Sequence, residues 1–175
     1  MDNLETNNND TLRIAGIVKE STVDGPGFRY VVFTQGCPHK CEGCHNPETH
    51  DFNGGKIVKI DDIVEDIKKD PILKGVTISG GDPFMQAGKV CKLLDKLDKK
   101  LSVMVYTGFT YEYLLKNANE NNNYLELLKR IDVLVDGKFV KSLMDENLMY
   151  KGSSNQRSID VKKSLKENKI CIHEF

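Results

Sequence analysis

The 175-residue sequence has no long run of apolar residues. A helix that spans a bilayer needs at least about 18 consecutive, mostly apolar residues, and no stretch of the chain approaches that length. Residues 1–10 are polar and rich in asparagine, without the apolar core of a secretory signal peptide. We therefore expect a cytoplasmic protein that makes no contact with a membrane.

The sequence also has no excess of charge of either sign. Its 25 Lys and Arg residues nearly cancel its 26 Asp and Glu residues, which gives a net charge of -1. It has no basic stripe of the kind that binds phosphate backbones, so nucleic acid is not an expected partner. The chain has no internal repeat, and its length suits one domain with its own core. We expect a disordered polar segment over residues 1–11 and a single domain over residues 12–175.

Short apolar runs alternate with stretches of helical periodicity. The runs at 12–18, 30–33, 76–79, 101–106 and 131–135 predict strands. Apolar spacing predicts helices over 60–67 and 90–97, and shorter helices near Thr110 and over 125–130. This alternation favours βαβ units and a parallel sheet, either open or a partial barrel. Ligand sites in such folds lie at the carboxyl ends of the strands.

Three of the five cysteines stand close together, in the segment C-P-H-K-C-E-G-C from Cys37 to Cys44. The sequence has no second pair of cysteines, which a structural zinc site usually has. Three thiolates in one loop favour an iron–sulfur cluster with one open iron, although zinc with His39 or His45 as fourth ligand stays open. We expect the two isolated cysteines, Cys91 and Cys171, to be small buried residues.

A glycine turn, Ser79-Gly80-Gly81-Asp82-Pro83, follows the third predicted strand. Glycine has no Cβ, so it allows a backbone to approach a ligand closely. An ordinary tight turn is the alternative.

Taken together, C-x3-C-x2-C after an early strand and G-G-D-P after the next helix and strand resemble the radical S-adenosylmethionine superfamily. The resemblance implies that Cys37, Cys41 and Cys44 are catalytic and hold a [4Fe–4S] cluster whose open iron binds S-adenosylmethionine. It implies that Gly80, Gly81 and Asp82 receive the methionine amino group. It also implies an α/β fold, an incomplete parallel (βα) barrel of the radical S-adenosylmethionine type in a single domain. The family more often has glutamate where this chain has Asp82.

Longer segments narrow the resemblance to the activases of anaerobic (class III) ribonucleoside-triphosphate reductase. They are V-D-G-P-G-F-R (23–29), F-T-Q-G-C-P-H (33–39), C-H-N-P-E-T (44–49), Y-T-G-F-T-Y-E (106–112), V-D-G-K-F (135–139) and G-S-S-N-Q-R (152–157). The resemblance implies a partner, the large catalytic subunit of that reductase, on which a glycyl radical is formed. It also implies an electron donor such as a flavodoxin. The alternatives are the activase of another glycyl-radical enzyme and a non-enzymatic zinc-binding interaction module.

Further site residues follow from the same resemblance. Asp24, Gly25, Gly27 and Arg29 match the segment that activases use near the docked glycine loop, which implies a substrate-loop role. Thr107 and Asp136 follow predicted strands, where they are expected to contact the cofactor or a bound cation. For Asp136 an ordinary turn residue before Gly137 stays open as the alternative. For Asn155 and Arg157 a contact with the cofactor or the partner and a plain surface loop are both open.

Overall fold

The computed structural model describes residues 10–175. The predicted disordered segment 1–11 lies almost wholly outside the described residues, and Thr11 begins the first strand. Over the described part of the chain the strands are β1 (Thr11–Ser21), β2 (Arg29–Thr34), β3 (Lys56–Lys59), β4 (Gly75–Gly80), β5 (Ser102–Tyr106), β6 (Val133–Asp136) and β7 (Arg157–Asp160). The α-helices are α1 (Ile60–Lys68), α2 (Ala87–Asp95), α3 (Tyr111–Lys116), α4 (Tyr124–Leu128) and α5 (Val161–Glu167).

All seven strands form one open sheet in the order β3-β1-β2-β4-β5-β6-β7. The four central strands, β2, β4, β5 and β6, run parallel to one another. The outer strands pair antiparallel, β1 with β2 and with β3, and β7 with β6. The expected open α/β architecture in one domain is confirmed, with a parallel centre. The antiparallel outer strands were not part of the expectation.

The central strands place alternate side chains on opposite faces of the sheet. One face packs against the helices and forms the hydrophobic core, through residues such as Tyr30, Val32, Ile78 and Leu134. Helix α1 supplies Ile60, Ile63, Val64 and Ile67 to this core from one face, as its predicted periodicity requires. The other face of the sheet carries Phe33, Ser79 and Tyr106 and lines a cavity. The hydrophobic core therefore lies between the helices and one face of the sheet. The opposite face, called the inner face below, is not covered by these helices and lines the cavity.

Hydrogen bonds within the long loop after β2 hold its beginning to its second half. Gly36 N donates to Thr49 O at 2.8 Å. The side-chain amide of Gln35 donates to the carbonyls of Glu48 and Asp51 at 3.0 and 2.7 Å. A short 3-10 helix, Pro47–Thr49, lies within this loop, which ends where β3 begins at Lys56. These contacts within the protein itself hold the residues that lead into the cysteine segment.

Because β2, β4, β5 and β6 are parallel, the turns that follow them meet at one edge of the sheet. These turns contain Cys37, Asp82, Thr107 and Gly137. Within residues 10–175, the helices are all too short or too polar to cross a bilayer.

Candidate active site

The cysteine loop, residues 37–44, begins directly beyond β2. Cys37 N donates to His50 O at 3.2 Å, and Cys44 N donates to Cys41 O at 3.2 Å, which closes a turn between the second and third cysteines. Lys40 and Gly43 have positive φ values of 48° and 72°, so the loop bends sharply on both sides of Cys41. Cys37, Cys41 and Cys44 are all free thiols, half-buried rather than enclosed in the core. The loop therefore presents three thiols at the carboxyl edge of the sheet.

Burial raises the pKa of the Cys37 thiol, and the nearby Asp82 and Cys41 raise it further. A bound metal ion would instead lower the pKa of this thiol, because the positive charge of the metal stabilises the thiolate that coordinates it. Within residues 10–175, no three His, Cys, Asp or Glu side chains are arranged to hold one metal ion. In a [4Fe–4S] cluster each cysteine binds a different iron, so its thiolates lie further apart than the ligands of a single ion. The three thiols fit such a cluster as a donor set.

The glycine turn packs directly against the start of the cysteine loop. Gly81 N donates to Thr34 O at 2.7 Å, and Asp82 N donates to Gly36 O at 2.9 Å. A Cβ on Gly80 would lie 2.7 Å from backbone atoms of Phe33, and one on Gly81 would lie 2.4 Å from Gly36 O. Both glycines are therefore needed for contact between two segments of the chain itself. The predicted approach to a ligand stays a prediction.

The Asp82 carboxylate is buried and binds several protein donors at once. Its Oδ2 accepts hydrogen bonds from Thr107 Oγ1 at 2.8 Å, Gly108 N at 3.1 Å and the His39 ring at 2.6 Å. Its Oδ1 accepts a hydrogen bond from Phe84 N at 3.0 Å. Asp82 is thereby the N-cap of the 3-10 helix Pro83–Gln86. The structure thus brings the predicted Asp82 and Thr107 together and links both to the cysteine loop.

Asp136 lies at the same edge of the sheet but is paired with another side chain. Arg157 donates to both carboxylate oxygens, and Tyr111 N donates to Oδ2 at 2.7 Å. The Arg157 guanidinium also binds Glu112 at 3.0 and 2.7 Å. These contacts raise the pKa of Arg157, with the Asp136 hydrogen bond as the largest cause. Arg157 therefore links β6, β7 and α3 at the rim, while Asn155 donates to the carbonyl of Lys138.

Three of the predicted substrate-loop residues, Gly25, Gly27 and Arg29, lie by the amino ends of the central strands. Arg29 is the first residue of β2 and is 1% exposed. Gly25 is buried beside it, and a Cβ there would lie 2.6 Å from the Arg29 side chain. Gly27 is exposed next to Lys74. Asp24 is half-buried and lines the cavity on the inner face of the sheet.

That cavity has a volume of about 420 Å³ and reaches from the inner face of the sheet to His45 and Asn46, which directly follow the cysteine loop. Its lining includes Asp24, Phe33, Ser79, Tyr106, His45 and Phe139. The hydroxyl of Tyr106 donates to Tyr150 O at 3.0 Å, which fixes that side chain across the cavity. Burial raises the pKa of Tyr106, so it stays protonated at neutral pH. The cavity offers aromatic and polar contacts beside the segment that follows Cys44.

Two side chains of the site, Tyr106 and Phe139, carried no assignment from sequence, and a third, His39, was assigned only as a possible zinc ligand. Tyr106 is the last residue of β5, and its position at a strand end was the available signal. Phe139 packs on His45 with ring centroids 4.9 Å apart, which joins the segment after β6 to the cysteine loop. His39 was considered as a zinc ligand, whereas its Nε2 is bound to Asp82.

Comparison with known families and proteins gives a consistent result. Residues 23–159 match the family model described as a 4Fe-4S single cluster domain. The chain is 36% identical over 143 residues to the anaerobic ribonucleoside-triphosphate reductase-activating protein of Escherichia coli strain K12, a match that covers 77% of this chain and 89% of that protein. The proteins of the same name from Vibrio cholerae and phage T4 are 35% and 34% identical, with 77% of this chain covered in each case and 88% and 85% of those proteins.

Among solved structures, the crystal structure of QueE from Escherichia coli aligns with a TM-score of 0.47 and 14% sequence identity. The alignment covers 72% of this chain and 71% of that one.

Proposed function

The chain belongs to the family of anaerobic ribonucleoside-triphosphate reductase-activating proteins, and from this premise we propose that Cys37, Cys41 and Cys44 hold the [4Fe–4S] cluster with which it acts. It is a radical S-adenosylmethionine activase of the oxidoreductase type, and its proposed target is the large catalytic subunit of the anaerobic reductase. The arrangement that supports the residue assignment is the placement of three half-buried thiols beside the glycine turn, at the carboxyl edge of a parallel sheet. With the family established, zinc is no longer a competing interpretation.

When bound, the reduced cluster and S-adenosylmethionine supply a 5′-deoxyadenosyl radical that removes a hydrogen atom from a glycine Cα of the reductase. The chain's own part is to bind and to orient. The three thiols would bind three irons of the cluster as thiolates, and Gly80, Gly81 and Asp82 would form the turn that receives the methionine amino group. The cavity beside Tyr106 takes the adenosyl group and the glycine loop of the reductase and keeps water away from them.

The roles of the remaining predicted residues follow from where they lie. Thr107 supports the glycine turn through Asp82, and Asp136 supports the rim through Arg157. Both lie at the edge where the cofactor is proposed to bind. Asp24 lines the cavity and is proposed to contact the incoming glycine loop. Gly25, Gly27 and Arg29 are proposed to shape the segment that carries Asp24.

We also propose a cytoplasmic location and a flavodoxin as electron donor. Free thiols at all five cysteines suit a reducing compartment. The donor is tested by replacing a chemical reductant with reduced flavodoxin and measuring the formation of 5′-deoxyadenosine.

The function is tested by anaerobic reconstitution followed by electron paramagnetic resonance. With reductant, S-adenosylmethionine and the reductase subunit, the wild-type protein should form 5′-deoxyadenosine and a glycyl radical on the subunit. Cys41→Ala should form neither, whereas Cys171→Ser, which changes a buried cysteine near α5, should form both. Formation of 5′-deoxyadenosine without a radical on this subunit would point to another glycyl-radical enzyme as target. Wild-type activity in Cys41→Ala would refute the ligand assignment.

A further inference from the structure

A histidine inside the cysteine loop reaches across to the glycine turn. His39 stands between Cys37 and Cys41, and its Nε2 lies 2.6 Å from Asp82 Oδ2. The two side chains are 6% and 0% exposed. A hydrogen bond to a carboxylate in such a buried place is much stronger than the same contact at the surface.

The other partners of Asp82 determine the direction of this hydrogen bond. The backbone amides of Phe84 and Gly108 can only donate. Thr107 Oγ1 accepts a hydrogen bond from Phe109 N, so its own proton points to Asp82. The carboxylate therefore accepts from every partner, and His39 Nε2 carries the hydrogen that it donates.

His39 also fits closely between the two strand ends. Its ring packs edge-on against Phe109 with centroids 4.5 Å apart. A Cβ on Gly108 would lie 2.3 Å from the His39 ring, so the position requires glycine. The ring therefore contacts the turn after β5 and, through Asp82, the turn after β4. A second link, from Asp82 N to Gly36 O, joins the glycine turn to the residue before Cys37.

We propose that His39 is a positioning residue that acts through Asp82 to hold the cysteine loop at a fixed place relative to Gly80 and Gly81. This inference rests on the proposed function, because that function gives the two segments a shared task. The thiols place the cluster and the glycine turn places the methionine group, so their relative position sets whether both can be bound together. The hydrogen bond from His39 to Asp82 fixes that position before any cofactor is present.

The test compares three variants with the wild-type protein. His39→Gln keeps an N–H donor at a similar distance from the backbone, and His39→Phe keeps a ring but has no donor. His173→Phe replaces a histidine near the end of the chain, where its ring contacts Phe175 and not the site. It controls for the loss of a histidine as such.

The first measurement is amide hydrogen exchange in the protein without cluster. His39→Phe should speed exchange in residues 36–44 and 81–82 by about tenfold, the effect of losing one charge-assisted hydrogen bond. His39→Gln should stay close to the wild-type rate, and His173→Phe should leave these residues unchanged. If His39→Phe matches the wild type, the proposal is wrong. If His39→Gln exchanges as fast as His39→Phe, ring packing rather than the hydrogen bond holds the loop, and the proposal is again wrong.

The second measurement is S-adenosylmethionine binding, followed as the change in the electron paramagnetic resonance spectrum of the reduced cluster. His39→Phe should bind S-adenosylmethionine about tenfold more weakly, and His39→Gln should recover most of that loss. Equal affinity in His39→Phe and wild type would overturn the proposal. If His39→Phe takes up no cluster, the exchange measurement decides. If the wild-type protein cleaves S-adenosylmethionine without forming a radical on the reductase, the proposed target fails, while the comparison of His39 variants stays valid.

Discussion

Arg29 Nε donates a hydrogen bond of 2.7 Å to Thr77 Oγ1 on the inner face of the sheet. The other guanidinium nitrogens of Arg29 donate hydrogen bonds to the hydroxyl and the carbonyl of Ser102 and to the carbonyl of Val76. Thr77 in turn donates to Asp24 O at 2.7 Å, which fixes the segment after β1. Arg29 therefore ties β2, β4 and β5 to the segment that lines the cavity.

We expect Arg29→Met to lower the free energy of unfolding by about 2–4 kcal/mol, because buried carbonyls and hydroxyls lose their donor. Urea denaturation of the protein without cluster measures this effect. A variant with unchanged stability that only forms less glycyl radical would instead show that Arg29 acts on the substrate loop directly.

Arg157 makes one ion pair with a buried carboxylate and one with an exposed carboxylate. The stability contributions of the two pairs can therefore be compared within one protein. Its partner Asp136 is 1% exposed, whereas the Glu112 side chain is 58% exposed. Arg157→Gln leaves a buried carboxylate without its cation and should cost about 3 kcal/mol in unfolding free energy. Glu112→Gln removes a solvent-screened pair and should cost less than about 1 kcal/mol. Equal losses in the two variants, measured by urea denaturation, would contradict this difference.

The carboxylates paired with arginine also predict how stability depends on pH. Arg157 holds the pKa of Glu112 below its usual value, and Arg130 does the same for Asp95. A lowered pKa in the folded state stabilises the fold above the unfolded pKa of about 4 and loses that effect as the pH falls through the folded value. We expect the unfolding free energy of the protein without cluster to decrease below about pH 4.5. Arg130→Gln should flatten this decrease, and an unchanged slope would refute the assignment of Asp95.

The central strands were predictable from sequence because each is a short, continuous apolar run rich in β-branched residues. Such runs are typical of strands that are covered on both faces. β7 and α5 were missed, since Arg157–Asp160 has four residues and α5 carries a mostly polar sequence. The antiparallel outer strands depend on pairing between distant segments, such as Leu12 with Val58. No local pattern states which neighbours a strand will have.

In the candidate site, too, features of neighbouring residues were predictable from sequence and contacts between distant residues were not. The spacing of Cys37, Cys41 and Cys44 predicted them as one set of ligands, because those residues are close in sequence. The link from His39 to Asp82 joins residues 43 positions apart, and the burial of Arg29 depends on Thr77 and Ser102 on other strands. Such contacts follow from the sheet order and are not visible in a motif.

The five cysteines should differ in their reaction with iodoacetamide in the protein without cluster. Cys91 and Cys171 are 7% and 8% exposed, and burial raises the pKa of Cys91 to about 11. A thiol reacts as its thiolate, so at about pH 8 these two should be modified slowly. Cys41 and Cys44 are more exposed and should react first, and Cys37, whose raised pKa leaves less thiolate, should follow them. Mass spectrometry of the digested protein gives the rate at each site.

Reconstitution of the cluster adds a second comparison. Bound thiolates are protected, so Cys37, Cys41 and Cys44 should become unreactive together, while the slow rates at Cys91 and Cys171 stay as they were. A cysteine of the loop that still reacts in the cluster-bound protein would not be a ligand. Protection of Cys91 or Cys171 would show that the cluster binds elsewhere.

Gly80 should tolerate no side chain, for two independent reasons. Its φ of 91° lies in the left-handed region that other residues rarely adopt. A Cβ there would also lie 2.7 Å from the backbone of Phe33, and neither segment can move without disturbing the cysteine loop. We expect Gly80→Ala to lower the unfolding free energy by at least about 2 kcal/mol and to weaken S-adenosylmethionine binding.

Gly16 provides the matched control, since it lies in β1 with nothing within 4 Å of an added Cβ and no positive φ. Gly16→Ala should be neutral, or stabilising by about 0.5 kcal/mol, because alanine loses less backbone entropy on folding. Similar stability and similar S-adenosylmethionine affinity in the two variants would mean that the turn adapts to a side chain. The close contact between Gly80 and β2 would then not be what positions the turn, and its distance from the cysteine loop would depend on the hydrogen bonds of Gly81 N and Asp82 N and on side-chain contacts.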